Sequence, residues 1–89
     1  MPSDYSILLT SQAKKELSKI KRGNIKSARL IINALEQLQQ KPALGEFLHG
    51  DLKGRRKLRV GDYRVVYSIE KDKLIVFILR IAHRKDVYK

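Results

Sequence analysis

The stretch RRKLRVGDYRVVYSI, residues 55–69, determines the fold of this 89-residue chain. On both sides of Gly61-Asp62, apolar residues recur at every second position, which is typical of strands with one buried face. Glycine accepts the positive φ that the first position of a type II′ turn requires, so Gly61-Asp62 predicts a two-residue hairpin turn. A two-residue turn also fixes the register, and it places Arg59 directly opposite Arg64.

Two further apolar runs predict strands near the ends of the chain. The run YSILL, residues 5–9, is short, whereas residues 74–81 are apolar on both faces. A strand without a polar face belongs in the middle of a sheet. We therefore expect the last strand to lie between the hairpin and the N-terminal strand.

Between the first strand and the hairpin, the period of the apolar residues changes to that of an α-helix. Apolar residues recur at helical spacing from Ser11 to about Lys21, and again from Asn24 to just before Pro42. Thr10-Ser11 and Asn24 provide the residue types that cap helix N-termini. The pattern predicts a helical hairpin, followed by a loop over the glycine-rich residues 43–54.

The predicted elements follow the order β-α-α-β-β-β. No linker, repeat or low-complexity tract interrupts the chain, which indicates a single domain over residues 1–89. We expect an α+β fold in which a helical hairpin packs on one face of a mostly antiparallel, four-stranded sheet.

The balance of charge indicates an anionic partner. Twenty Lys and Arg against nine Asp and Glu give a formal net charge of +11. Repulsion within such a small domain destabilises its compact state. Nucleic acid is the first candidate partner because phosphate binding by Lys and Arg releases counterions, and acidic protein is the second.

Other classes of protein are disfavoured by what the composition lacks. The chain has no cysteine and two histidines, so we expect no disulfide, no metal site and no cofactor. Residues 1–5 do not begin a signal peptide, and no run of eighteen apolar residues predicts a membrane span. We expect a cytoplasmic protein that does not enter a membrane.

Cations are concentrated on one side of the predicted hairpin, where Lys57 and Arg55 follow Arg59 and Arg64 on the same face. Like charges across two strands are unfavourable by about 0.2–1 kcal/mol, so stability alone does not explain them. Protection of an edge strand by Lys and Arg is the alternative interpretation. The density favours binding, since five cations occupy the seven residues 53–59. We predict an RNA- or ribosome-binding set of Lys53, Arg55, Arg56 and Arg59.

The residues after the last strand are expected to emerge beside this hairpin, and their types suit phosphodiester chemistry. Cleavage of RNA by its own 2′-hydroxyl requires a base for that hydroxyl, cations for the phosphate charge, and an acid for the leaving 5′-oxygen. Histidine titrates near neutral pH, arginine binds phosphate oxygens bidentately, and tyrosine stacks on bases. The predicted catalytic set is Lys57, Arg64, His83, Arg84 and Tyr88. A surface role for His83 and simple packing for Tyr88 are the alternatives.

Three blocks of the sequence carry a family resemblance: LHGDLKG at 48–54, KLRVGDYRVVY at 57–67 and HRKDVY at 83–88. With these blocks the chain resembles the RelE/ParE toxin superfamily, and RelE more than ParE. The resemblance implies a ribosome-dependent endoribonuclease that cuts mRNA in the ribosomal A site and so inhibits translation. It also implies contacts with 16S rRNA, and neutralisation by an acidic, RelB-like antitoxin within a type II toxin–antitoxin system.

The catalytic residues of that family carry over onto Lys57, Arg64, Arg84 and Tyr88. Where RelE has a second lysine on the same strand, Arg55 stands here, and arginine is a poor proton acceptor. The identity of the base therefore stays open, with His83 as a candidate. Two other functions stay open as well: a ParE-like toxin that poisons DNA gyrase without nuclease activity, and a plain RNA- or ribosome-binding module.

Overall fold

The computed structural model describes residues 4–48 and 54–85. Its elements confirm the predicted order and add one short strand between the helices and the hairpin. In chain order they are β1 (Ser6–Leu9), α1 (Ser11–Gly23), α2 (Ile25–Gln40), a 3₁₀ helix (Pro42–Leu44), β2 (Glu46–Phe47), β3 (Arg55–Val60), β4 (Tyr63–Glu70) and β5 (Ile75–His83). In this part of the chain no helix has the length and apolar character needed to cross a membrane.

The two helices begin at the predicted caps. The Thr10 hydroxyl accepts a hydrogen bond from the Ala13 N–H at 3.1 Å. The Asn24 side chain accepts one from the Ser27 N–H, also at 3.1 Å. Asn24 is the C-cap of α1 as well as the N-cap of α2, so a single residue joins the helices. The helical hairpin is therefore tightly connected, and α1 extends to Gly23, beyond the predicted Lys21.

The strands form one sheet in the order β1-β5-β4-β3-β2. β1 pairs with β5 in parallel, and the other pairs are antiparallel. β5, which is apolar on both faces, thus lies between the N-terminal strand and the hairpin, as predicted. The expectation of four strands is wrong by one, because β2 pairs with β3 inside the segment predicted as a loop. Two residues are too few to show the period-two pattern of a strand, so β2 could not be predicted from the sequence.

The hydrophobic core lies between the helices and one face of the sheet. The largest fully buried side chains come from α2 and the central strands: Ile31, Leu38, Val65, Tyr67, Val76, Ile78 and Ile81. Leu58 and Val60 of β3 pack against this cluster from the side. The hairpin therefore has a core face, and the face that carries Arg59 and Arg64 points away from the helices.

The outer edge of β5 is closed by α1 where β1 ends. β1 pairs with β5 only as far as Ile78. Beyond that point, the Thr10 hydroxyl donates to the Leu79 carbonyl at 3.0 Å. The Glu16 carboxylate accepts from the Ile81 N–H at 2.7 Å and from Arg80 Nε at 2.9 Å. The side chains of the N-cap residue Thr10 and of Glu16 in α1 thus replace the hydrogen bonds that another strand would make.

A second set of contacts, here called the Tyr67 clasp, holds the 3₁₀ helix and β2 against the sheet. The buried Tyr67 hydroxyl donates to the Pro42 carbonyl at 2.7 Å and accepts from the Gly45 N–H at 2.8 Å. Arg56 Nη1 donates to the Gly45 carbonyl at 2.7 Å, and its guanidinium lies 3.8 Å from the centre of the Phe47 ring. Residues 42–47 therefore have a fixed position beside β3.

Gly45 has no room for a side chain within the clasp. A Cβ at this position would lie 2.5 Å from the Lys57 carbonyl oxygen and 2.7 Å from the Tyr67 hydroxyl. We expect Gly45→Ala to lower the free energy of unfolding by about 1–3 kcal/mol, the usual cost of overpacking, in urea titrations. Gly23→Ala is the matched control because a Cβ there meets nothing within 4 Å, and it should leave stability unchanged or raise it. Equal stability of the two variants would contradict the close packing.

Candidate active site

The cationic face of the hairpin has the predicted register. Arg59 lies opposite Arg64, and Lys57 and Arg55 pair with Val66 and Ser68 on the same face of the sheet. The turn is also as predicted, since Gly61 has a φ of 60°. Four cations, Arg55, Lys57, Arg59 and Arg64, therefore share the face that the helices leave uncovered.

Three of these cations line a cleft of about 400 Å³, here called the cationic cleft. Lys57, Arg59 and Arg64 form one side, and the segment held by the Tyr67 clasp forms the other. The structure thus brings together two members of the predicted catalytic set, Lys57 and Arg64. A concave site with several cations and a fixed wall can hold a phosphodiester and stabilise added negative charge on it.

Glu46 supplies a carboxylate to the same cleft. It is the register partner of Lys57, so both side chains belong to one face of the sheet, and both line the cleft. A carboxylate can accept a proton, which none of the neighbouring arginines does readily. Sequence reasoning missed Glu46 because it lies in a strand of two residues, where no periodic pattern could reveal its partner.

Arg56 lies apart from the other predicted binding residues. Its register partner is Tyr67, which places it on the core face of the sheet. Its guanidinium donates to the carbonyls of Gly45 and Ala43 and stacks on Phe47. The structure therefore gives Arg56 a role in the clasp, on the opposite side of β3 from the cationic cleft.

His83 is also separated from the cleft. It pairs with Tyr63 at the end of β5, and the two rings meet edge to face with centroids 5.3 Å apart. Its Nδ1 accepts a hydrogen bond from the Lys85 N–H at 3.2 Å. Both rings line a different concavity, between α1 and β5. The predicted catalytic set is thus divided between two sites.

The chain after β5 does run beside the hairpin, as predicted. The Arg84 N–H donates to the Asp62 carbonyl in the hairpin turn at 2.7 Å. Arg84 follows Ala82, the register partner of Arg64, by two residues. Lys53 and Tyr88, the remaining predicted site residues, lie outside the described residues. Among residues 4–48 and 54–85, no three His, Asp or Glu side chains are grouped to hold a metal ion.

Comparison with known proteins assigns the chain to a family. A family model described as the ParE toxin of the type II toxin–antitoxin system parDE matches residues 7–88. The chain is 31% identical over 86 residues to Toxin RelG of Mycobacterium tuberculosis, covering 96% of this chain and 97% of the relative. It is 33% identical over 85 residues to Toxin RelE of the same organism, covering 96% and 87%. The chain belongs to the RelE/ParE superfamily of toxins of type II toxin–antitoxin systems.

Solved structures show the same fold. A chain of the toxin–antitoxin complex RelBE2 from M. tuberculosis superposes with a TM-score of 0.81 and 28% identity, covering 91% of this chain and 99% of that one. The YoeB/ParE toxin from Agrobacterium tumefaciens gives a TM-score of 0.80 at 17% identity, covering 88% and 96%. The architecture is thus retained in chains whose sequences differ widely from this one.

The buried Tyr67 hydroxyl, which holds the wall of the cleft, should contribute to stability in a way that depends on pH. Burial raises the pKa of Tyr67, against smaller opposite effects from the Gly45 N–H and Arg56. Tyr67→Phe should lower the free energy of unfolding by about 1–3 kcal/mol, because the Gly45 N–H loses its acceptor. Because the folded-state pKa is the higher one, this contribution should be complete below about pH 10 and diminish as pH rises further.

The measurement is urea unfolding of both proteins across alkaline pH. The difference in stability between the unsubstituted protein and Tyr67→Phe should shrink above about pH 10. Tyr63→Phe is the control, since Tyr63 is only half-buried and its contact with His83 is made by the rings. A difference that stays constant with pH would exclude the buried hydroxyl as its source.

Proposed function

We propose that this toxin is a ribosome-dependent endoribonuclease that cuts mRNA in the ribosomal A site and thereby inhibits translation. The observation that carries the proposal is the cationic cleft, where a carboxylate and an ammonium lie among arginines. The two relatives named RelG and RelE add support. The site of action is the cytoplasm, where ribosome, 16S rRNA and mRNA meet.

The reaction is an attack of the ribose 2′-hydroxyl on the adjacent phosphorus. The O2′–P bond forms and the P–O5′ bond breaks, leaving a 2′,3′-cyclic phosphate and a 5′-hydroxyl. Glu46 accepts the proton of the 2′-hydroxyl, and the Lys57 ammonium donates a proton to the leaving 5′-oxygen. Arg64 and Arg59 stabilise the charge that grows on the non-bridging oxygens.

The choice of Glu46 as the base follows from the residues in the cleft. Arg55 stands where RelE has a second lysine, and an arginine side chain stays protonated. His83 lies at the other concavity, so its imidazole is not among the groups lining the cleft. Glu46 is the carboxylate on the cleft side of β2, opposite Lys57. Arg84 and Tyr88 remain members of the predicted catalytic set.

An acidic, RelB-like antitoxin is the proposed protein partner. The relative with 28% identity was crystallised as a toxin–antitoxin complex. A net charge of +11 favours a polyanionic chain, and Asp- and Glu-rich segments can order themselves on such a surface. Coverage of the cationic cleft by the antitoxin would keep RNA from binding there.

The second candidate function is a ParE-like toxin that poisons DNA gyrase without cutting RNA. The match to a ParE toxin model over residues 7–88 favours it. Under this function the arginines of the cleft would bind protein or DNA, and Glu46 would have no chemical part. Loss of gyrase activity with intact mRNA would support ParE-like action.

The first test uses Arg64→Ala and primer extension of mRNA on stalled ribosomes. Loss of one guanidinium that stabilises transition-state charge should reduce cleavage about 10²–10³-fold. Lys71→Ala is the control: Lys71 is an exposed cation that lies in the turn after β4 and outside the cleft. Unchanged cleavage by Arg64→Ala would place the active site elsewhere.

The second test concerns the proton acceptor. Glu46→Gln keeps the shape of the side chain and removes its basicity, so cleavage should fall about 10²–10⁴-fold. The acidic limb of the pH–rate profile should be lost in this variant, which a merely structural role would not change. Retention of that limb would assign the base to another residue.

A further inference from the structure

A second concavity lies on the helix side of the sheet, between α1 and the end of β5. This α1–β5 groove has a volume of about 560 Å³. Lys15 and Lys19 line it from the helix, and Tyr63, Ala82 and His83 line it from the sheet. The proposed chemistry uses none of these side chains.

The charge of the groove favours an anionic occupant. Lys15 and Lys19 are exposed and stand four residues apart on α1, where like charges disfavour the helix. Glu16 is the acidic residue in the lining, and its carboxylate is already hydrogen-bonded to Arg80 and to the Ile81 N–H. The two ammonium groups thus leave an excess of positive charge.

The sheet side of the groove offers aromatic surface. The rings of Tyr63 and His83 meet at an interplanar angle of 84°, so the edge of one ring supports a face of the other. Both side chains are half-buried, which fixes their orientation while leaving part of each accessible. Cations that follow a backbone, together with aromatic rings on which bases stack, are the usual means of binding single-stranded nucleic acid.

The groove and the cationic cleft lie on opposite sides of the sheet and are connected through one register pair near the end of β5. Ala82 lines the groove and is the register partner of Arg64, which lines the cleft. The hydrogen bond from the Arg84 N–H to the Asp62 carbonyl ties the chain after β5 to the hairpin turn. A strand of RNA could therefore pass around the end of β5 from one site to the other.

We propose that the α1–β5 groove binds single-stranded RNA and holds nucleotides that flank the scissile phosphate. Lys15 and Lys19 bind phosphates, and a base lies against the Tyr63–His83 pair. This assigns His83 to substrate binding instead of catalysis. The proposal rests on the proposed function for its choice of RNA, but its test measures binding without cleavage.

The first experiment measures the affinity of the full chain for a short fluorescent RNA with 2′-O-methyl groups, which cannot be cut through a 2′-hydroxyl. Reversing both groove lysines, with Lys15→Glu and Lys19→Glu, should weaken binding at least ~10-fold and make the logarithmic salt dependence shallower by about 1.4, at ~0.7 per phosphate contact. Lys14→Glu with Lys21→Glu is the matched control, since both residues are exposed on α1 and outside the groove lining.

The second experiment distinguishes the contribution of nucleobase stacking to RNA affinity from that of phosphate binding. His83→Ala should weaken binding of the RNA roughly 5- to 100-fold, in line with the loss of one stacked base. An abasic ribose-phosphate strand of equal length should bind His83→Ala and the unsubstituted protein alike. Equal losses for both strands would remove the stacking role, and urea unfolding of each variant checks that its fold is retained.

Three results would overturn the proposal. Equal effects of the groove and control reversals would show that only net charge matters. If the reversal of both groove lysines left RNA affinity unchanged but abolished binding of a poly-glutamate peptide, the groove would be a site for acidic protein. If His83→Ala bound RNA with unchanged affinity, no nucleobase would stack on the Tyr63–His83 pair. Failure of the proposed function has a different signature, namely absence of mRNA cleavage while the groove still binds RNA.

Discussion

The turn at Gly61-Asp62 joins β3 and β4 through two residues, and this length leaves the hairpin one register. That register decides which side chains reach the core and which reach the open face. A slip by one residue would turn Val65 and Tyr67 to the open face and bury Arg64. The core, the clasp and the cationic cleft all require the same pairing. Fold and site therefore depend on a single local constraint, which glycine at position 61 makes possible by its positive φ.

β3 uses adjacent cations in two different ways. Arg55, Lys57 and Arg59 accumulate charge on the open face, where they repel one another and Arg64. Arg56, between them, turns to the core side and binds backbone carbonyls of the segment that carries Glu46. The strand thus places charges for a ligand and fixes the opposite wall of the cleft. Binding of an anion relieves the repulsion, so ligand affinity and stability of the fold are coupled.

Much of this could be predicted from the sequence, because the decisive signals are local or periodic. The hairpin register, the caps at Thr10 and Asn24, and the central position of β5 follow from turn residues, capping chemistry and a strand without a polar face. The observed β5, Ile75–His83, starts one residue later and ends two residues later than the predicted run 74–81. Helix and strand ends are the least certain part of such patterns.

The rest of the site depended on contacts that the pattern does not encode. β2 and Glu46 are set by pairing with β3 and by the Tyr67 clasp, which join residues distant in sequence. The positions of Arg56 and His83 did have a signal, since alternation puts them on the same face as Leu58 and Ile81. Charge and residue type outweighed that alternation in the prediction. The register shift between Val66 and Tyr67, where β4 pairs with β5, had no sequence signal.

The Glu16 carboxylate protects the outer edge of β5 against pairing with a strand from another chain. β5 is the longest strand, and its outer edge beyond β1 could template a further strand from another molecule. With the Ile81 N–H already occupied by Glu16, an incoming strand would first have to displace a carboxylate that Arg80 also holds. α1 therefore hinders the addition of another strand at this edge of β5, while the cationic face of the sheet stays accessible.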